Sequence, residues 1–181
     1  MDDTTRFSTM AEDYDQLCQL AVPPYDLLQE EVFRLLSMEQ EPPACIVDLG
    51  AGSGRLLERA LLRWPKTQAY WVDSSEDFRR VAVPRLARFG ERVTFISSPM
   101  ESAWEAQIDD PVGLVVSMSA IHHLTREEKR ALCERCFRIL QPGGWLLNID
   151  EMRTLYRDAY QLNMRFWVRH VEAISEAVPE G

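Results

Sequence analysis

A run of strand-type residues, Cys45-Ile46-Val47-Asp48-Leu49, leads directly into Gly50-Ala51-Gly52-Ser53-Gly54, and a helical pattern opens at Arg55. Glycines let a chain turn sharply from strand to helix with no Cβ in the way, and they let a ligand approach the backbone. The helix that follows offers unpaired N–H groups and a partial positive charge to an anionic ligand group. Such turns lie past the C-terminal ends of strands in open parallel sheets, where the strand order reverses. The expected fold is therefore α/β: a doubly wound, Rossmann-like, mostly parallel sheet with helices on both faces.

The rest of the chain alternates strand and helix in the same way. Residues 1–20 read as an arm with helical character, broken at Pro23-Pro24, and Tyr25 to Met38 has apolar residues at helical spacing. Residues 1–40 thus form a helical cap, and 41–181 a ligand-binding core within one structural domain. After the first strand and a helix to about Arg63, the second strand is expected at Gln68–Val72, ending at Asp73. A helix follows at Phe78–Phe89, then strands at Val93–Ile96 and Gly113–Met118. Thr125 and Glu128 make a capping-box pattern for a helix running to Leu140, which stops at Pro142-Gly143-Gly144. The fifth strand is expected at Trp145–Asp150, and a last helix from Arg153 to about Ala177.

Asp73 ends the second strand, where an acid can accept both hydroxyls of a ribose. It also suits a helix N-cap. With the glycine turn it points to an adenosine-containing cofactor. The spacing here is G-x-G-x-G, whereas the nicotinamide fingerprint is G-x-G-x-x-G, which disfavours a dehydrogenase.

Val47-Asp-Leu-Gly-Ala-Gly-Ser-Gly-Arg55 resembles motif I of class I S-adenosylmethionine-dependent methyltransferases. Asp73 resembles the motif II acid, residues 113–124 resemble motif IV of small-molecule members, and residues 140–147 resemble the turn into the fifth strand. Met10-Ala-Glu-Asp-Tyr-Asp15 is similar to an arm that closes over the cofactor. The resemblance implies a cofactor, S-adenosylmethionine, released as S-adenosylhomocysteine. It implies that the backbone of Gly50, Ala51, Gly52 and Gly54 faces the methionine part. Asp48 would orient the turn or the amino group, and Asp73 would hold the ribose with Ser74 beside it. Met100 and Glu101 would flank adenine, Ser117 would lie near the amino group, and Tyr14 would reach the carboxylate. Tyr14 also reads as a core aromatic and Glu101 as a solvated acid. Pro99 stands where many members carry an adenine-binding acid, so adenine contact falls to Met100, Glu101 or backbone.

His122 and His123 follow the fourth strand, near the expected methyl acceptor. One of them, His123 by preference, reads as a general base, and the alternative is that both only shape the loop before Thr125. The expected reaction is in-line methyl transfer to a small molecule. Two other uses of the fold remain open: an enzyme that modifies S-adenosylmethionine itself, to which Val22-Pro23-Pro24-Tyr25 is loosely similar, or a regulatory protein that binds the cofactor without turnover.

A net charge of −9 argues against nucleic-acid partners. No apolar run approaches the ~20 residues needed to span a bilayer, and no secretory h-region opens the chain, so a cytoplasmic protein is expected. Cys133 and Cys136 form a single C-x-x-C inside a helix, and no metal-ligand spacing is evident. The last helix, with Leu155, Ala159, Leu162, Phe166 and Ile174, reads as a lid facing the acceptor pocket. The family adds two strands after that helix; their absence here predicts an open sheet edge, with either a homodimer formed there or reduced stability.

Overall fold

The computed structural model describes residues 11–22, 24–39, 41–152 and 154–177. Residues 1–10 of the expected arm, Pro23, Arg153 and Pro179 lie outside them. The described elements are α1 (Tyr14–Ala21), α2 (Tyr25–Glu39), β1 (Cys45–Leu49), α3 (Arg55–Arg63), β2 (Gln68–Asp73), α4 (Glu76–Leu86), β3 (Val93–Ser97), β4 (Val112–Met118), α5 (Arg126–Ile139), β5 (Leu140–Ile149) and α6 (Arg157–Ala177). Short 3₁₀ turns occupy Ala87–Arg92, Trp104–Gln107 and Ile121–His123.

The strands form one sheet in the order β3-β2-β1-β4-β5, and all four pairings are parallel. The chain moves outward from β1 through β2 to β3, then crosses back to β4 on the other side. The order therefore reverses between β1 and β4, which places the glycine turn after β1 at the switch point. All five residues of β1 are buried because both faces of this central strand are covered. Ile46 packs with Phe33, Leu57, Leu61 and Trp71 on one face. Cys45, Val47 and Leu49 pack with Ile96, Trp104 and Leu132 on the other. Helix α3 buries Leu56, Leu57, Ala60 and Leu61, a stripe at the helical period.

Several boundaries differ from the sequence expectation for local reasons. Helix α4 starts at Glu76 because the Ser75 side chain caps it, accepting from the Phe78 N–H. It ends at Leu86, and the chain continues as 3₁₀ turns past Gly90. Strand β5 starts at Leu140, five residues early: Val112 pairs with Leu140 and Leu114 with Trp145, so the intervening residues bulge out of the ladder. Thr125 caps α5 with both halves of the expected box.

Helix α6 begins at Arg157, later than expected, and does not turn its apolar side inward. Leu155, which precedes it, is 97% exposed and Phe166 is 62% exposed. The helix is held through α1: the Trp167 Nε1–H donates to the Ala21 carbonyl (2.8 Å), and His170 Nε2 bonds the Leu20 carbonyl (2.8 Å). With its anchor at α1, the helix leaves these apolar side chains exposed.

Candidate active site

Gly50 shows most directly why this turn must be glycine. Its φ is +67°, and a Cβ there would overlap the Ala120 Cβ from the turn after β4. The two turns flanking the switch point are thus in contact. The Gly50 and Ala51 N–H groups both donate to the Val72 carbonyl (2.8 and 3.2 Å), which seats the turn on β2.

Asp73 ends β2 beside that turn. Its Oδ2 accepts from the Gly52 N–H (2.9 Å) and its Oδ1 from the Ser75 N–H (2.8 Å). Since Ser75 is the N-cap of α4, the capping alternative for Asp73 falls away. A carboxylate has about four acceptor positions, so these N–H groups leave room for a hydroxyl donor. Burial holds the Asp73 carboxyl above its usual range, opposed by the N–H groups of Ser75, Gly52 and Ser74.

Asp48 lies within β1 just below the turn and is 2% exposed. No hydrogen bond from a described residue reaches its carboxyl. Burial, and then the nearby Asp73 charge, push its pKa well up. Two carboxyl groups at one buried turn, one of them without a donor, form a site that favours a ligand carrying positive charge.

Met100 reaches the glycine turn, its Cε 3.6 Å from where a Gly50 Cβ would lie, and its carbonyl accepts from the Trp104 indole N–H (2.9 Å). Ser74 and Glu101 are exposed. The Ser117 hydroxyl is buried and donates to the Leu49 carbonyl (2.8 Å), bridging β4 to β1.

The arm lies across the turn. Tyr14 meets Phe78 edge-on (4.9 Å, 82°), and burial pushes its phenol pKa up. Asp15, which the sequence reading passed over, is buried: its Oδ1 accepts from the Ser53 hydroxyl (2.6 Å) and its Oδ2 pairs with Arg85 (2.6 Å). Arg85 also donates to the Ser53 carbonyl (2.9 Å). One α1 carboxylate thus ties the arm to the glycine turn and to α4.

On the far side of the switch point, His122 and His123 stand in the 3₁₀ turn after β4, their rings 4.1 Å apart. His122 Nδ1 meets Asp150 Oδ1, and Glu151 Oε2 lies 3.0 Å away. Spacing along the chain does not reveal this grouping, because its members follow different strands.

Residues 46–144, more than half of the chain, match a family model described as a methyltransferase domain. The chain belongs to the class I S-adenosylmethionine-dependent methyltransferase family. An uncharacterised methyltransferase of Geobacillus kaustophilus is 28% identical over 162 residues, covering 84% of this chain and 66% of that one. The trans-aconitate 2-methyltransferase of Pseudomonas aeruginosa is 32% identical over 127 residues, covering 66% of this chain and 41% of that protein. The chain thus spans two thirds or less of the length of these curated relatives. Streptomyces venezuelae DesVI superposes with a TM-score of 0.65 at 22% identity, over 81% of this chain and 59% of that one, a likeness of fold. The matched segment of this methyltransferase-family chain contains the glycine turn, Asp48, Asp73 and both histidines, and excludes the arm and α6.

Proposed function

We propose that the chain is a cytoplasmic methyltransferase that moves the methyl group of S-adenosylmethionine to a small-molecule acceptor and releases S-adenosylhomocysteine. The observation that carries this reading is the pairing of a buried Asp48 with Asp73 at the glycine turn, where the turn's N–H groups hold Asp73. S-adenosylmethionine brings what such a site lacks: an ammonium and a sulfonium for the negative field, and ribose hydroxyls for Asp73. In this reading Asp48 faces the amino group, Ser74 borders the ribose, and Met100 and Glu101 flank adenine. Tyr14 and the arm close over the methionine end.

Methyl transfer is an in-line displacement. A lone pair on the acceptor forms the new bond to carbon as the C–S⁺ bond breaks, and that electron pair neutralises the sulfur. The leaving thioether is good, so the chain's task is to align the reactants and exclude water. A base is needed only when the nucleophile carries a proton that must leave. Two carboxylates occupy the His122 Nδ1, so in this reading the base is His123.

Calorimetric titration with S-adenosylmethionine, S-adenosylhomocysteine and NAD tests the proposal, with Asp73→Ala as the control variant. Micromolar binding of the first two, weakened at least about tenfold in the variant, is the expected outcome. Preference for NAD, or undiminished binding by a folded variant, would refute it.

A further inference from the structure

Strands β4 and β5 leave the sheet side by side, and the ladder is carried one step further. The Ser119 N–H donates to the Ile149 carbonyl (2.8 Å). Ser119 then takes a left-handed backbone (φ +50°), rare for a residue with a side chain, and swings the chain into the His122 turn. This brings His122 against Asp150 and Glu151, the residues that follow β5. The ligating atoms of the three side chains all lie within 4.8 Å of one another.

The donors do not match the acceptors. An imidazole Nδ1 carries at most one hydrogen, so it satisfies one carboxylate and not two. The Asp150 side chain is 2% exposed. Among the described residues, no lysine or arginine pairs with either acid. The Glu151 N–H donates to Asp150 Oδ1 (3.0 Å) and the Ser119 hydroxyl to Glu151 Oε1 (3.3 Å), which aims both carboxylates without neutralising them. Lys129 Nζ reaches the His122 carbonyl (3.3 Å), fixing the turn from α5.

A divalent cation resolves this arrangement. Adjacent ligands of an octahedral ion, held about 2.1 Å from it, are about 3 Å apart, and His122 Nδ1 to Glu151 Oε2 is 3.0 Å. One imidazole and two carboxylates suit Mn²⁺, Mg²⁺ or Zn²⁺ and leave coordination positions open on one side. The location is informative as well. Ala120, two residues before His122, touches the glycine turn.

We infer that His122, Asp150 and Glu151 form a divalent-cation site on the acceptor side of the cleft, and that the acceptor is an oxygen-bearing molecule held through that cation. The second half rests on the methyltransferase reading. An acceptor oxygen on the ion would be oriented toward the methyl group, and its proton, where it has one, would be easier to remove.

The test is calorimetric titration of the purified chain with Mn²⁺, repeated on Glu151→Gln and His122→Gln. S-adenosylhomocysteine binding and thermal melting are followed in parallel, to show that each variant is folded. One Mn²⁺ per chain, with affinity lowered at least about tenfold in each variant, is the expected result. No Mn²⁺ binding, or wild-type affinity in both folded variants, overturns the site. Mn²⁺ binding in a chain that binds no S-adenosylhomocysteine would keep the cation site and remove the acceptor assignment.

Discussion

Asp48 is the residue whose cost to the fold is easiest to measure. Its carboxyl holds a proton to higher pH in the folded chain than in the unfolded one, where it titrates near about 3.9. The sign follows from proton linkage: its contribution to stability is complete below about pH 4 and is lost as pH rises through the raised folded value. At neutral pH folding must either protonate this buried carboxyl or bury its charge, and both cost stability. Asp48→Asn replaces that charge with a neutral amide, which is less costly to desolvate. The variant is expected to melt a few degrees above the wild type at pH 7, since ~1 kcal/mol moves Tm by about 2–4 °C in a chain of this size. The gap should close toward pH 4. The same variant should bind S-adenosylmethionine more weakly, because the ammonium loses its anion. Melting curves at several pH values check the first expectation. A variant less stable than wild type at pH 7 would show that Asp48 is paired after all.

Among the elements, the arm is tied to the glycine turn by one buried carboxylate, beside its contacts with Phe78 and α6. Helix α1 is short and leans on the rest of the chain through Asp15, which meets Ser53 and Arg85. Arg85→Met keeps most of the side-chain volume and removes the cation, leaving a buried carboxylate with only the Ser53 hydroxyl. The expected cost is about 1–3 kcal/mol, concentrated in the arm. Hydrogen exchange should then quicken in Tyr14–Ala21 while β1 and β4 keep their protection. Uniform quickening across the sheet would mean that Arg85 serves the core instead. The existence of α1 could be read from its sequence, but its anchor could not. Asp15, Ser53 and Arg85 stand far apart along the chain, and no periodicity links them. Strands were legible where burial on both faces left unbroken apolar runs, as in β1 and β4. Helix ends were legible where a local signal marks them, such as Thr125 with Glu128 at the start of α5. The early start of β5 depends on a bulge against β4, which is a property of the pair.

For the whole molecule, the half of the site built on one turn was legible in the sequence. Gly50 to Gly54 and Asp73 lie on consecutive elements, and strand–turn–helix order fixes their neighbours. The half built on β4 and β5 was not, because the meeting of His122 with Asp150 and Glu151 requires the strand order. Among the described residues, that same order leaves β5 paired on one side only, by β4. The opposite edge, β3, is five residues long, whereas β5 is ten. A long unpaired edge offers a row of backbone donors and acceptors to another chain. Beside it in sequence, Met152, Leu155, Tyr156, Leu162 and Phe166 expose apolar surface around and along α6, and surface of this kind associates when it is contiguous. Charge opposes association, since −9 on each copy adds repulsion that salt screens. The 181-residue chain is therefore expected to self-associate with rising concentration, and more strongly in high salt. Sedimentation velocity across ionic strengths measures both effects. A single monomeric species at every concentration and salt would show that β5 and α6 are protected without a partner. Association that weakens with salt would place the contact on charged surface instead.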